Sequence, residues 1–154
     1  MTQDCMGIIH VGTGVVTGAD MLGGCHRAVQ LVENTENFNF EVIDFTNVTE
    51  LQMTEEDLDE MVALGHLAAV FRPEAAVVII APRPELFEIG KKWERRVQDL
   101  GWKTRIAHSR EEAMNWLREN YPPPPPRRAR PELPNEPSGA PNETAADAPN
   151  ESAR

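Results

Sequence analysis

The residues able to do chemistry are few and widely spaced. Gly12, Gly14 and Gly18 follow an apolar run and precede a helix signal, which is where a nucleotide-binding turn sits. Such turns work because glycine amides approach a phosphate closely at a helix N-terminus. Here the spacing is GxGxxxG rather than GxGxxG, and no P-loop lysine follows. A hairpin turn at Gly12–Gly14, then a capped helix at Thr17, accounts for the same glycines. Phosphate or nucleotide binding through Gly12, Gly14 and Gly18 stands as the alternative. His10, His26, His66 and His108 fall on different predicted elements, with no HxxxH or CxxC pair, so no metal site is expected. Cys25 and His26 adjoin, but helix neighbours diverge by about 100 degrees and do not make a nucleophile and its base. The acids Glu55, Glu56, Asp57, Asp59 and Glu60 read as a helix-dipole complement and a solvated face. No catalytic residue and no cofactor is expected from these groups.

Composition narrows the partners. The chain has 154 residues and a formal net charge of -10, with most of the acidic excess before residue 122. An acidic domain repels phosphate backbones and anionic membrane surfaces, which argues against nucleic acid. Lys91, Lys92, Arg95 and Arg96 are the one local basic cluster, and they read as a solvated helix face. No secretory leader pattern opens the sequence. The longest apolar run, around Ala75–Ala81, is far below transmembrane length, so membrane insertion is not expected. The expected compartment is the cytoplasm, with Cys5 and Cys25 as reduced thiols.

The elements that must position these residues alternate along the chain. GIIHV, with VVT after it, gives an opening strand or hairpin. FEVIDFTNV is rich in β-branched and aromatic residues and predicts a second strand. The continuous apolar run at 75–82 predicts a central strand buried on both faces. WKTRIAHS, at 102–109, predicts a more exposed edge strand. Thr17, Thr54 and Ser109 each stand three residues before an acid, the capping-box arrangement, so each predicts a helix start. A fourth helix is predicted from Pro84 to about Leu100, with Gly101 as its C-terminal cap. Apolar stripes at helical spacing agree: Leu58, Met61, Val62, Leu64, Leu67, Ala68 and Phe71 on one helix, Leu86, Ile89, Trp93, Val97 and Leu100 on the next. The expectation is an α/β domain over 1–121, with a small mixed, mostly parallel sheet flanked by helices.

Residues 122–154 break the pattern. Five consecutive prolines, Pro122–Pro126, cannot donate backbone hydrogen bonds and favour extended polyproline II. Only Leu133 among the rest offers a sizeable apolar side chain, so a disordered, proline-rich tail is expected. PxxP spacings with Arg127, Arg128 and Arg130 suit an SH3-like groove, but a solubilising linker is preferred.

Three segments, GVVTGADM, VIDFTNVTELQMTEEDLDEMVAL and SREEAMNWL, together resemble the SpoIIAA-like family of the STAS-like superfold. The resemblance implies a small sheet with helices and transfers no catalytic group. Related anti-sigma-factor antagonists are regulated through a serine that follows an Asp at the start of a helix. Here Gln52 stands at the Asp position and Met53 at the serine, so the nearest hydroxyl is Thr54, a candidate regulatory phosphosite. Its alternative role is the helix cap. The superfold also resembles SEC14-like lipid-binding domains, which implies an apolar ligand against a wall of Leu86, Phe87, Ile89 and Trp93. Core packing accounts for the same four residues.

The leading functional reading is a non-enzymatic regulatory or protein-interaction module of STAS-like type, with an unidentified protein partner. It predicts an exposed apolar or mixed patch near the Thr54 helix and no deep cavity. The alternative is a carrier of a small apolar or lipid-like ligand. An edge strand leaves homodimerisation open.

Overall fold

A computed structural model of the chain describes residues 7–121. The proline-rich tail and Cys5 lie outside the described residues. Four strands alternate with four helices: β1 (Gly7–Thr17), α1 (Gly18–Asn34), β2 (Phe40–Gln52), α2 (Glu55–Phe71), β3 (Ala76–Ile80), α3 (Pro84–Arg96), β4 (Lys103–Ala107) and α4 (Arg110–Asn120). The sheet order is β1-β2-β3-β4 and every pairing is parallel, so the mixed sheet expected from sequence is a purely parallel one.

That order determines where the helices lie. Right-handed crossovers that always step the same way put their helices on one face of the sheet. The core follows this arrangement. Ile43, Phe45, Val77, Ile79 and Ile106 pack with Leu58 and Met61 of α2 and with Leu86, Trp93 and Val97 of α3. Met21, Leu22 and Cys25 of α1 lean on the same core. On the other face Val42, Val78, Ile80 and Ala107 meet Ala113 and Leu117 of α4, the only helix on that side among the described residues. β3 is buried at all five positions, as a strand covered on both faces must be.

Of the opening strand or hairpin expected, the structure has the strand, and no hairpin turn at Gly12–Gly14. β1 runs unbroken through Gly12 and Gly14 beside β2, with register shifts between Val11 and Thr13 and between Gly14 and Val15. Gly14 adopts φ 66°, the left-handed value a hairpin turn would also use. A bulge inside one strand takes the same glycine signal, so sequence alone does not separate the two. β2 outruns β3, and the carbonyls of Val48 and Thr49 that β3 leaves unpaired accept instead from the Arg83 guanidinium.

Helix starts follow the sequence closely. Thr17 and Thr54 each form a full capping box, with Asp20 and Asp57 as the reciprocal acids, and Ser109 accepts from the Glu112 amide. α3 ends at Arg96 rather than Leu100: the Val97 amide turns back to the Trp93 and Glu94 carbonyls, which buries the Val97 side chain. Gly101, at φ 80°, then redirects the chain into β4. α2 buries Leu58, Met61, Gly65 and Ala68, while Leu67 and Phe71 of the expected stripe face outward with Val70.

Candidate functional site

A groove of about 460 Å³, open on one side, lies between β1 and α1. Five successive residues of β1, Ile9 to Thr13, line it. Successive strand residues point to opposite faces, so the outer edge of the strand is itself the wall. No strand pairs with that edge among the described residues. Asp20, Met21, Gly24, Cys25 and Arg27 of α1 form the second wall, and Glu41, Ile43 and Phe45 of β2 form the floor. Its volume falls in the range of small-molecule sites.

Polar groups are set deep in this groove. His10 Nε2 lies 3.2 Å from Glu41 Oε1, with both side chains mostly buried, yet this contact lacks hydrogen-bond geometry and leaves the buried nitrogen without a hydrogen-bond partner. Burial, with the negative charge of Glu41, pushes the Cys25 thiol up to about 12. It therefore stays protonated at neutral pH and is no nucleophile. Arg27 stands exposed at the rim, with no hydrogen bond or ion pair among the described residues.

Above the groove, the opposite face of β1 is bare. Ile9 and Val11 stand beside Val42 and Asp44 of β2, on the face where α4 packs over β3, β4 and Val42 of β2. Ile9, Val11 and Val15 are each more than half exposed. β1 also carries no Asp, Glu, Lys or Arg along its length.

The sequence-selected residues lie elsewhere or do other work. Gly12 and Gly14 sit within β1, and Gly18 is the first residue of α1, so the three do not cradle a phosphate. A Cβ on Gly18 would meet the Asp57 carboxylate at 2.2 Å, so close packing of α1 on the α2 cap accounts for this glycine. The α1 N-terminus already holds a carboxylate: Asp20 accepts from the Thr17 amide at 2.9 Å and would repel an anion. Thr54 is exposed as the α2 cap. Its hydroxyl donates to Asp57 Oδ2 at 2.8 Å and accepts from the Asp57 amide at 3.1 Å. Leu86 and Trp93 are buried in the core, Phe87 stacks on His108 with ring centres 4.2 Å apart, and Ile89 is half-buried. The cavity that Trp93 does line holds about 40 Å³, room for a water or two rather than a lipid chain. Lys92 and Arg96 of the basic cluster pair with Glu55 and Asp59 of α2, and Lys91 pairs with Glu94. That network leaves the Thr54 end of α2 charged, while the exposed apolar residues of α2 lie at its other end.

One residue carries weight that the sequence did not reveal. Asp44 is the only buried charged residue among those described, at 1 % exposure. Burial alone would raise its carboxyl, but hydrogen bonds from Thr46 and from the Arg110 guanidinium outweigh it and hold the group below the ordinary carboxylate range. The signal was an Asp inside the apolar run FEVIDF. The clamp it forms ties α4 to β2 across the face that Ile9 and Val11 share.

The groups His, Cys, Asp and Glu nowhere form a cluster of three fit for a metal ion among the described residues. No helix among the described residues is long and apolar enough to cross a membrane. Compared with family models, with curated proteins and with solved structures, the chain matches none of them.

Proposed function

We propose that this protein is a non-enzymatic interaction module of STAS-like type that binds through the β1–α1 face. One observation carries the reading. An eleven-residue edge strand without Asp, Glu, Lys or Arg lies beside an open groove, with Ile9, Val11 and Val15 exposed along it. Soluble proteins usually blunt such edges with charge, proline or a covering element. An open edge beside a helix is also the setting in which an extended partner adds as a strand. This reading prefers the first strand to the Thr54 helix, where Leu67, Val70 and Phe71 are also exposed.

The groove supports a second reading, a carrier of a small ligand. Met21, Ile43 and Phe45 supply apolar wall, while His10, Glu41 and Arg27 supply polar contacts. The proposed ligand place is thus the β1–α1 groove instead of the Leu86–Trp93 face.

Native mass spectrometry of the full chain from its source cells separates the two. A protein-sized mass excess that Val11→Lys abolishes supports the interaction module. A small-molecule excess that survives Val11→Lys but is lost in Met21→Trp supports the carrier. A protein partner retained by the Val11→Lys variant refutes binding at this face.

A further inference from the structure

Resting on the reading of β1–α1 as a binding face, we propose that its partner is a second copy of this chain, joined by antiparallel β1–β1 pairing with α1 packed against α1 about one two-fold axis.

The face is self-complementary in charge. Asp20 and Arg27 flank Gly23 and Gly24 on α1. In an antiparallel α1–α1 contact centred between the two glycines, Asp20 of each copy meets Arg27 of the other. Among the described residues Arg27 has no hydrogen-bond or ion-pair partner, so the contact supplies one. Asp20 uses Oδ2 for its cap and keeps Oδ1 free.

The strand shares the same axis. A Cβ on Gly24 would lie 3.7 Å from His10 Nδ1, so α1 near Gly24 sits over β1 near His10, one residue from Val11. An axis through Val11 sets Val11 against Val11 of the second copy and Ile9 against its Thr13. Those apolar side chains gain cross-strand neighbours on the bare face. The α1 helices approach on the other face beside Gly23 and Gly24, against which the Arg27 guanidinium lies in each copy, so the small residues leave room for that side chain to turn toward the other copy.

Charge also selects this face over the rest of the surface. Each copy carries a formal net charge of -10, so two copies repel over most approaches. β1 brings no Asp, Glu, Lys or Arg to the meeting line. β4, the other edge, would bring Lys103 and Arg105 against their own copies. The size is adequate: helix and strand together offer a strip on the order of 30 Å by 20 Å, comparable with the roughly 800 Å² per partner of a standard interface.

The test is sedimentation of the full chain from about 1 to 200 μM, a span chosen to bracket μM dissociation. The wild type is expected to pass from monomer to dimer. Arg27→Asp, which turns a carboxylate toward Asp20 of the other copy, is expected to weaken the dimer at least tenfold, and Val11→Lys to do the same. Asp20→Arg sets like charges together in the same way. An equimolar mixture of Arg27→Asp and Asp20→Arg is expected to form heterodimers, because both contacts then join opposite charges. Circular dichroism checks that each variant is folded. Should Asp20→Arg lose its helix cap and unfold, slowed amide exchange over residues 8–16 at high wild-type concentration reports the same pairing. A wild type that stays monomeric throughout overturns the proposal. So does a dimer indifferent to both Arg27→Asp and Val11→Lys. If the wild type is monomeric but its mass excess from cells still depends on Val11, the dimer fails while the binding face stands with another partner.

Discussion

β4 closes one edge of the sheet with five residues, and β1 forms the other with eleven. β4 lies between two helices: Ile106 packs with the α3 core and Ala107 with the α4 core. Its outward residues are charged. Arg105 pairs with Glu112 at 2.6 Å, and Lys103 sits 5.1 Å from the centre of the Tyr121 ring. β1 has one helix beside it, bare apolar residues on its other face and no Asp, Glu, Lys or Arg along its length. A short, charged, doubly covered edge resists pairing with another chain, whereas a long uncharged one invites it. Within one sheet, the late edge serves stability and the early edge remains available for association.

The largest expected effect separates the two edges by stability. Ile106→Ala removes a core side chain and is expected to cost about 2–5 kcal/mol in urea unfolding. Val11→Ala, at a half-exposed site, is expected to cost no more than about 0.5 kcal/mol. Equal losses would break the comparison, because β1 would then be as embedded as β4.

Next comes the clamp that holds α4 toward β2. Arg110 is exposed, so removing its partner strands no buried cation. The cost of Asp44→Asn should therefore follow hydrogen bonding to a charge, about 1.5–3 kcal/mol at neutral pH. The sign with pH is fixed by the lowered Asp44 carboxyl. Its contribution is complete above the unfolded value, near 3.9, and is lost as pH falls through the lower folded value. The stability gap between wild type and Asp44→Asn should thus hold from pH 7 to about 5 and close below about 4. A gap that widened in acid would show that the carboxyl is not held ionised.

A third expectation concerns the bulge that only β1 carries. Gly14 has φ 66° and open space where a Cβ would go. The cost of Gly14→Ala is then backbone strain alone, about 1–2 kcal/mol in thermal or urea melts. No loss would mean that β1 relaxes into an ordinary strand when the glycine is replaced.

The smallest change in stability is expected from opening the closed edge. Lys103→Val with Arg105→Val removes exposed charge only, so stability should shift by less than about 1 kcal/mol. Turbidity on concentration should rise above that of the wild type, since the edge has lost its gatekeepers. A variant that stays clear would show that α3 and α4, not charge, protect β4.

Local features of the fold were legible because they rest on short-range chemistry. The hydroxyl-to-acid spacing at Thr17, Thr54 and Ser109 set three helix starts, since a cap needs only neighbouring residues. The unbroken apolar run at 75–82 marked a strand buried on both faces. The site was much less visible. Ile9, Val11 and Val15 read as ordinary strand residues, and only the sheet order left them uncovered. The partners of Lys92 and Arg96 lie on another helix, so their cluster looked basic until α2 neutralised it. Asp44 needed Arg110, sixty-six positions away in the chain, before its burial made sense. Sequence alone determined where each element begins and which side is apolar, because those signals act over one or two turns. Which strand lies at the edge, which face α4 covers and where a groove opens depend on contacts between distant segments, and only the tertiary structure decided them.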